Sequence, residues 1–204
     1  MEESPNIAIL ILAAGASTRM GSPKQLLSWG NATLLEHTIS QAEQCEVDDV
    51  YVVLGANHQK ISTKIKTSDV TIIISDNWQS GLGSSLASGV KYLQNSNTNY
   101  IGVLIMLADQ PEVDSVFLNS MIRKFKARAG QIIVTNYDDQ VGVPAIFDKM
   151  YFDQLSVLEG DRGAKKIIGE NLAYVTTLSP KTSFIDIDTK ESYDRYHKRF
   201  FNNQ

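Results

Sequence analysis

The stretch Ile7–Lys24, IAILILAAGASTRMGSPK, decides the fold. Six apolar residues, Ile7 to Leu12, stop abruptly at Ala13-Ala14-Gly15, and a short polar loop then carries Ser17, Thr18, Arg19, Gly21 and Lys24. The run is far shorter than the ~20 residues of a membrane-spanning helix and reads as a strand buried on both faces. Small residues after such a strand let backbone N–H groups approach an anion, and Arg19 and Lys24 supply the neutralising charge. Open α/β sheets build nucleotide sites in this way. Two well-known loops do not fit. Walker A requires G-x-x-x-x-G-K-[ST], whereas five residues separate Gly15 from Gly21 and Ser22-Pro23 precede Lys24. The dinucleotide pattern G-x-G-x-x-G is absent from the loop.

Outward from this stretch, apolar runs alternate with helical patterns, the signal of a mainly parallel sheet. Strands are expected at 7–12, 50–54, 70–75, 101–107 and 131–135, with helices at 33–44, 58–66, 86–93 and 116–127. The strand-like run Val141–Phe147 follows after only a short polar segment, too short for a crossover helix, and predicts a hairpin with an antiparallel member. Short helical pieces at 150–155 and 164–169, strands at 174–178 and 184–187, and a helix from about Lys190 complete the chain. The expected fold class is α/β: one domain over residues 1–204, a three-layer α/β/α sandwich with a Rossmann-like, mostly parallel mixed sheet.

Composition bounds the function. With 204 residues, 43% of them hydrophobic, the chain can bury one substantial core. A net charge of −4 gives no general attraction to nucleic acid or to an anionic membrane. The single cysteine, Cys45, excludes an intramolecular disulfide framework and reads as inert. The start, MEESPN, has no basic leader region. A cytoplasmic enzyme is the expected class.

The pattern L-A-A-G-x-S-x-R-M-G-x-x-K, Leu12 to Lys24 here, resembles the signature of MobA-like nucleotidyltransferases, specifically the molybdenum cofactor cytidylyltransferase (MocA-like) branch. The likeness extends from about Ile7 to Tyr193. It implies a fold of the nucleotide-diphospho-sugar transferase type and Mg²⁺-dependent transfer of CMP from CTP to the phosphate of molybdopterin. Pyrophosphate would be released and the cofactor passed on to a molybdenum hydroxylase. The resemblance places Leu12, Ala13, Ala14, Gly15, Ser17, Arg19 and Lys24 at the nucleotide, with Arg19 and Lys24 on the triphosphate. It also gives Asp109, in LADQP at the end of the most hydrophobic strand, to the metal. A carboxylate at a strand's carboxyl end faces the ligand crevice of such sheets. The Gly/Ser segment 77–85 resembles the family's base and ribose loop, which brings in Ser80, Gly81, Gly83 and Ser84. Gly142, Pro144, Asp161 and Arg162, with Lys165, resemble the acceptor side, although Asp161 can equally cap the helix at Ala164.

In FIDIDTKESY, Asp186 and Asp188 lie two apart on the expected strand and share a face. Asp186 is expected as a second metal ligand and Asp188 as a helix cap. The family pattern is DIDTPED, and this chain has Lys190 and Ser192 in place of the proline and the second acid. Ala13-Ala14-Gly15 points to CTP, since the guanylyl branch has Ala-Gly-Gly, and the Ala14 methyl narrows the room for a purine. His37 and His58 read as surface residues, His197 as part of a terminal helix end in the basic-aromatic tail RYHKRFF, and no serine, histidine and acid set suggests a hydrolase. Two alternatives stay open: a transferase of the same fold using GTP or a sugar or alditol phosphate, and a non-catalytic carrier of the molybdenum cofactor.

Overall fold

The computed structural model describes residues 6–47, 49–66, 69–126, 130–137, 140–182 and 184–201. Its central strand is β1 (Ile7–Ala13), buried along its whole length. Ile7, Ile9 and Ile11 enter one apolar cluster, and Ala8, Leu10 and Leu12 enter another on the opposite face. This period of two is what a strand covered on both faces requires. A two-residue hairpin follows, β2 (Ser28–Trp29) with β3 (Ala32–Thr33), then α1 (Leu34–Glu43), β4 (Asp49–Leu54), α2 (His58–Ser62) and β5 (Val70–Ile74). The second half holds α3 (Leu82–Asn95), β6 (Gly102–Leu107), α4 (Ser115–Lys124), β7 (Ile132–Tyr137) and β8 (Gln140–Asp148). It ends with α5 (Phe152–Leu155), α6 (Lys165–Glu170), β9 (Val175–Leu178) and α7 (Lys190–Phe201).

Seven strands form one sheet in the order β5-β4-β1-β6-β8-β7-β9. Every pairing is parallel except the two made by β8. The expected antiparallel member is therefore β8, paired with β7 down to Tyr137 opposite Gln140; residues 138 and 139 of the connection lie outside the described residues. From β1 the chain runs outward to β4 and β5, then returns to lay β6 on the other side of β1. The carboxyl ends of β1 and β6 thus flank the point where strand order reverses, the place at which open α/β sheets open a crevice. Helices α1 and α4 pack on one face, and α3, α5 and α6 on the other.

Local chemistry sets the helix starts. Thr33 caps α1 in a reciprocal pair with Glu36, each side chain bonding the other's backbone N–H. Asp114 caps α4 by accepting from the Phe117 N–H. Helix α4 ends at Lys124, short of the expected end, and Ala127 lies outside the described residues. Helix α2 is five residues long rather than nine, with Ile61 its one buried side chain. Helix α3 starts four residues earlier than expected, so part of the Gly/Ser segment is helical.

Three expectations are corrected. No strand forms at 184–187: the Ile187 N–H donates to the Asp109 carbonyl (2.9 Å) instead of to a ladder, while Phe184 and Ile187 are buried in separate clusters. Nor is Asp188 the cap of α7. Thr189 fills that role, its hydroxyl accepting from the Ser192 N–H (3.1 Å) while the Ser192 hydroxyl accepts from the Thr189 N–H. The basic-aromatic tail packs as α7, with His197, Phe200 and Phe201 around Trp29. His37 joins that cluster, half-buried against Trp29 and Phe200, rather than lying on the surface. Among the described residues no helix is long and apolar enough to cross a membrane.

Candidate functional site

The site is built at the carboxyl ends of β1 and β6. The loop after β1 is shaped by Gln25, a residue that no sequence pattern singled out. Its side chain is buried, and its amide donates to the carbonyls of Ala13 (2.7 Å) and Gly15 (3.0 Å). With those carbonyls turned towards Gln25, the N–H groups of Gly15 and Ala16 donate to nothing among the described residues. Ser17 takes the left-handed conformation (φ 54°), and its hydroxyl accepts from the Lys24 N–H (3.0 Å), folding the loop back so that Lys24 returns to the strand ends.

There Lys24 meets two carboxylates. Its ammonium donates to Asp109 Oδ2 and to Asp188 Oδ1 (2.9 Å), and Arg19 reaches the other oxygen of Asp188 (3.2 Å). The Lys24 and Asp109 side chains are only 16% and 15% exposed, whereas Arg19 is 68% exposed. Burial pushes the Asp109 carboxyl above the usual carboxylate range, and the Lys24 ammonium offsets only part of that. For Lys24, burial acts downward but the two carboxylates outweigh it and hold the ammonium above its ordinary value. For Asp188, burial acts upward and is outweighed by Lys24 and Arg19, leaving the carboxyl below its usual range.

A cleft of about 380 Å³ opens over this cluster, walled by Ala14, Gly15, Lys24, Trp78, Gly81 and Asp109 among others. Leu12 and Ala13 also line it, whereas Ser17 and Arg19 line a smaller recess of about 200 Å³ at its mouth with Asp188. Ser80, Gly83 and Ser84 do not line the cleft. Ser85 does, together with Trp78 and Gln79, while Ser84 is buried with its hydroxyl 3.5 Å from the Ser80 carbonyl. Gly83 instead joins two segments. Its N–H donates to the Gly160 carbonyl (2.8 Å), and a Cβ there would stand 2.9 Å from the carbonyls of Glu159 and Gly160. The start of α3 and the 159–161 loop are thus docked backbone to backbone.

A second cleft of about 470 Å³ shares Leu82, Leu107 and Asp161 with the first. Gly142 and Arg162 line it, as does Lys165; Pro144 is buried beneath, its carbonyl accepting from the Thr135 hydroxyl (2.7 Å). Asp161 makes no cap, since no side chain caps α6. Asp186 faces this second cleft, paired with Gln110, and Asp188 rather than Asp186 joins Lys24 and Asp109.

The residues present fit a divalent cation. Asp109 Oδ1 is buried without a hydrogen-bond partner, and the charges of two further carboxylates, Asp186 and Asp188, act on this group. Among the described residues no group of three or more His, Cys, Asp or Glu side chains is arranged to hold a metal. A hard divalent cation can be held by one or two carboxylates, with substrate phosphates and water completing its shell.

A mixed seven-stranded sheet with a glycine-containing loop at its switch point, a buried Lys–Asp pair and a second cleft alongside defines a nucleotide-handling enzyme of the nucleotidyltransferase type. Residues 9–175 match the model of the MobA-like NTP transferase domain, and the chain belongs to that family. It is 27% identical over 202 residues to Nicotine blue oxidoreductase of Paenarthrobacter nicotinovorans, covering 94% of this chain and 96% of that one. Among solved structures, the homologue of Mycobacterium tuberculosis Rv0371c from Mycobacterium sp. strain JC1 is 30% identical, with a TM-score of 0.83 over 97% of this chain and 98% of the other. The manganese complex of Rv0371c from Mycobacterium tuberculosis H37Rv is 27% identical, with a TM-score of 0.79 over 96% of this chain and 99% of that one.

Proposed function

We propose that this nucleotidyltransferase moves CMP from CTP to the phosphate of molybdopterin. An acceptor phosphate oxygen forms a bond to the α-phosphorus as the bond to the β-phosphate oxygen breaks, and pyrophosphate leaves with that electron pair. The observation that carries the reading is the buried Lys24–Asp109 pair in the wall of the first cleft, which adjoins the second through Leu82, Leu107 and Asp161. The N–H groups of Gly15 and Ala16 receive phosphate oxygens, and Lys24 and Arg19 neutralise the charge gathering on the departing pyrophosphate. Asp109 and Asp188 would hold Mg²⁺, which would supply charge neutralisation and polarisation of phosphate oxygens. No side-chain nucleophile is needed, so catalysis rests on positioning and charge. The Ala14 methyl in the wall of the first cleft supports CTP over a purine nucleotide. The largely apolar floor of the second cleft, with Leu107, Val143 and Phe147, supports a flat pterin over an alditol phosphate. The product is of the kind that a molybdenum hydroxylase would receive.

A thermal-shift panel with CTP, GTP, ATP and UTP, each with and without Mg²⁺, tests this on wild type and Asp109→Asn. Ligand at ~100 times Kd stabilises by about 2.7 kcal/mol. The reading expects a Mg²⁺-dependent shift, largest with CTP and lost in the variant. A GTP preference would move the chain to the guanylyl branch. One relative's name favours a second reading, redox chemistry on an organic substrate. A nicotinamide-nucleotide arm addresses it, and a response there with none to CTP would decide for it.

A further inference from the structure

We propose that Asp186, held in place by Gln110, reads hydrogen-bond donors on the acceptor and does not ligate the metal; this rests on the transferase reading above. Asp186 and Asp188 are two residues apart, yet they serve different clefts. The bond from the Ile187 N–H to the Asp109 carbonyl (2.9 Å) lays this segment across the end of β6. Asp188 falls beside Lys24 and Arg19, and Asp186 falls in the second cleft.

Gln110 is 5% exposed, and its orientation is set by its partners. Nε2 donates to Asp186 Oδ1 (2.8 Å) and lies 3.5 Å from the Tyr137 hydroxyl. That hydroxyl gives its own proton to the Val143 carbonyl, so it can only accept from Gln110. Both directions of the amide nitrogen are therefore occupied, and Oε1 is left buried with no partner. A buried acceptor without a donor is costly and calls for a ligand or water to satisfy it. Asp186 is exposed, and its second oxygen has no partner among the described residues. This wall thus carries two unpartnered acceptors, the second Asp186 oxygen and the buried Gln110 Oε1. Leu107, Val141, Val143 and Phe147 provide an apolar floor, and Arg162 and Lys165, with no ion pair among the described residues, stand on another side. The complementary ligand is flat, carries N–H donors along one edge and ends in an anion. A nitrogen heterocycle bearing an amino group and a phosphate has that chemistry.

The test uses Asp186→Asn, Gln110→Leu and, for contrast, Asp188→Asn in the full chain. Binding of a pterin phosphomonoester to CTP-loaded protein is followed by pterin fluorescence, and Mn²⁺ binding with CTP by electron paramagnetic resonance. Asp186→Asn swaps an acceptor for a donor at an exposed position, so the fold is kept. It should weaken the pterin by roughly 10- to 100-fold, the range for a lost bond to a charged group, while Mn²⁺ and CTP bind as in wild type. Gln110→Leu should weaken the pterin in the same direction, and Asp188→Asn should weaken Mn²⁺ instead. Loss of Mn²⁺ affinity in Asp186→Asn, or an unchanged pterin affinity, would overturn the proposal while leaving the transferase reading intact. If wild type binds CTP but takes an alditol phosphate and not the pterin, the acceptor reading fails, and the same variants measured on the alditol phosphate decide the role of Asp186. Wild type binding neither acceptor overturns both.

Discussion

Lys24 stands where two carboxylates meet and acts as their counter-cation. A divalent cation placed on Asp109 and Asp188 has to displace that ammonium, which then becomes available to phosphate. Metal and nucleotide should therefore bind interdependently. Lys24→Met removes the internal cation and should raise Mn²⁺ affinity at pH 8 without nucleotide by roughly tenfold, while lowering the turnover rate by about 10²-fold, as for loss of one charge-stabilising donor. Titration of Mn²⁺ into both proteins checks the first part. An affinity that falls in the variant would mean that Lys24 supports the metal rather than competing with it. At this scale the sequence was informative where chemistry is local. Arg19, Lys24 and Asp109 each follow a buried strand closely. Gln25, Gln110 and the arrival of Asp188 were not legible, because a buried amide looks like any polar residue until its carbonyl partners are known. Asp188 also reaches Lys24 across a sequence separation of 164.

Among the elements, α3 and the 159–161 loop behave as one unit. Gly83 is required there because any Cβ would press on two backbone carbonyls that have no flexible end to yield. Gly81, at φ 101°, faces the same loop, and a Cβ on it would stand 2.6 Å from the Gly160 carbonyl carbon. Gly83→Ala should destabilise the fold by about 1–3 kcal/mol, the usual cost of overpacking, and should lower CTP affinity, since Gly81 and Asp161 both line the first cleft, where the proposed function places CTP. Denaturant unfolding and a CTP titration measure the two effects; unchanged CTP affinity would separate the docking from the site. Strong periodic strands were readable from sequence, and β8 was identified as antiparallel from its short connection. The β2–β3 hairpin was not, since two-residue strands carry no period. The Phe184–Ile187 alternation was misread because its apolar residues fill two clusters without any ladder.

At the scale of the whole molecule, His37 ties α1 to the loop after β6. Its Nε2 lies 2.9 Å from the Pro111 carbonyl, so Nε2 carries a proton and donates it to that oxygen. Burial holds its pKa below the ordinary histidine value, and the bond to Pro111 opposes this only in part. The sign follows: between the lowered folded value and the unfolded value near 6.5, the unfolded chain binds more protons, so stability falls as pH drops through that window. Thermal unfolding from pH 7.5 to 5 should show a smaller pH slope in His37→Gln than in wild type, and equal slopes would count against a neutral, buried His37.

The most direct test of the central claim is acceptor-dependent release of pyrophosphate from CTP by the purified protein with Mg²⁺. Release is predicted only when molybdopterin is added, with a cytidylyl–pterin product formed in equal amount and both lost in Asp109→Asn. Pyrophosphate release that ignores the pterin, or a CTP-bound protein that yields no product with it, would contradict the cytidylyl-transfer reading.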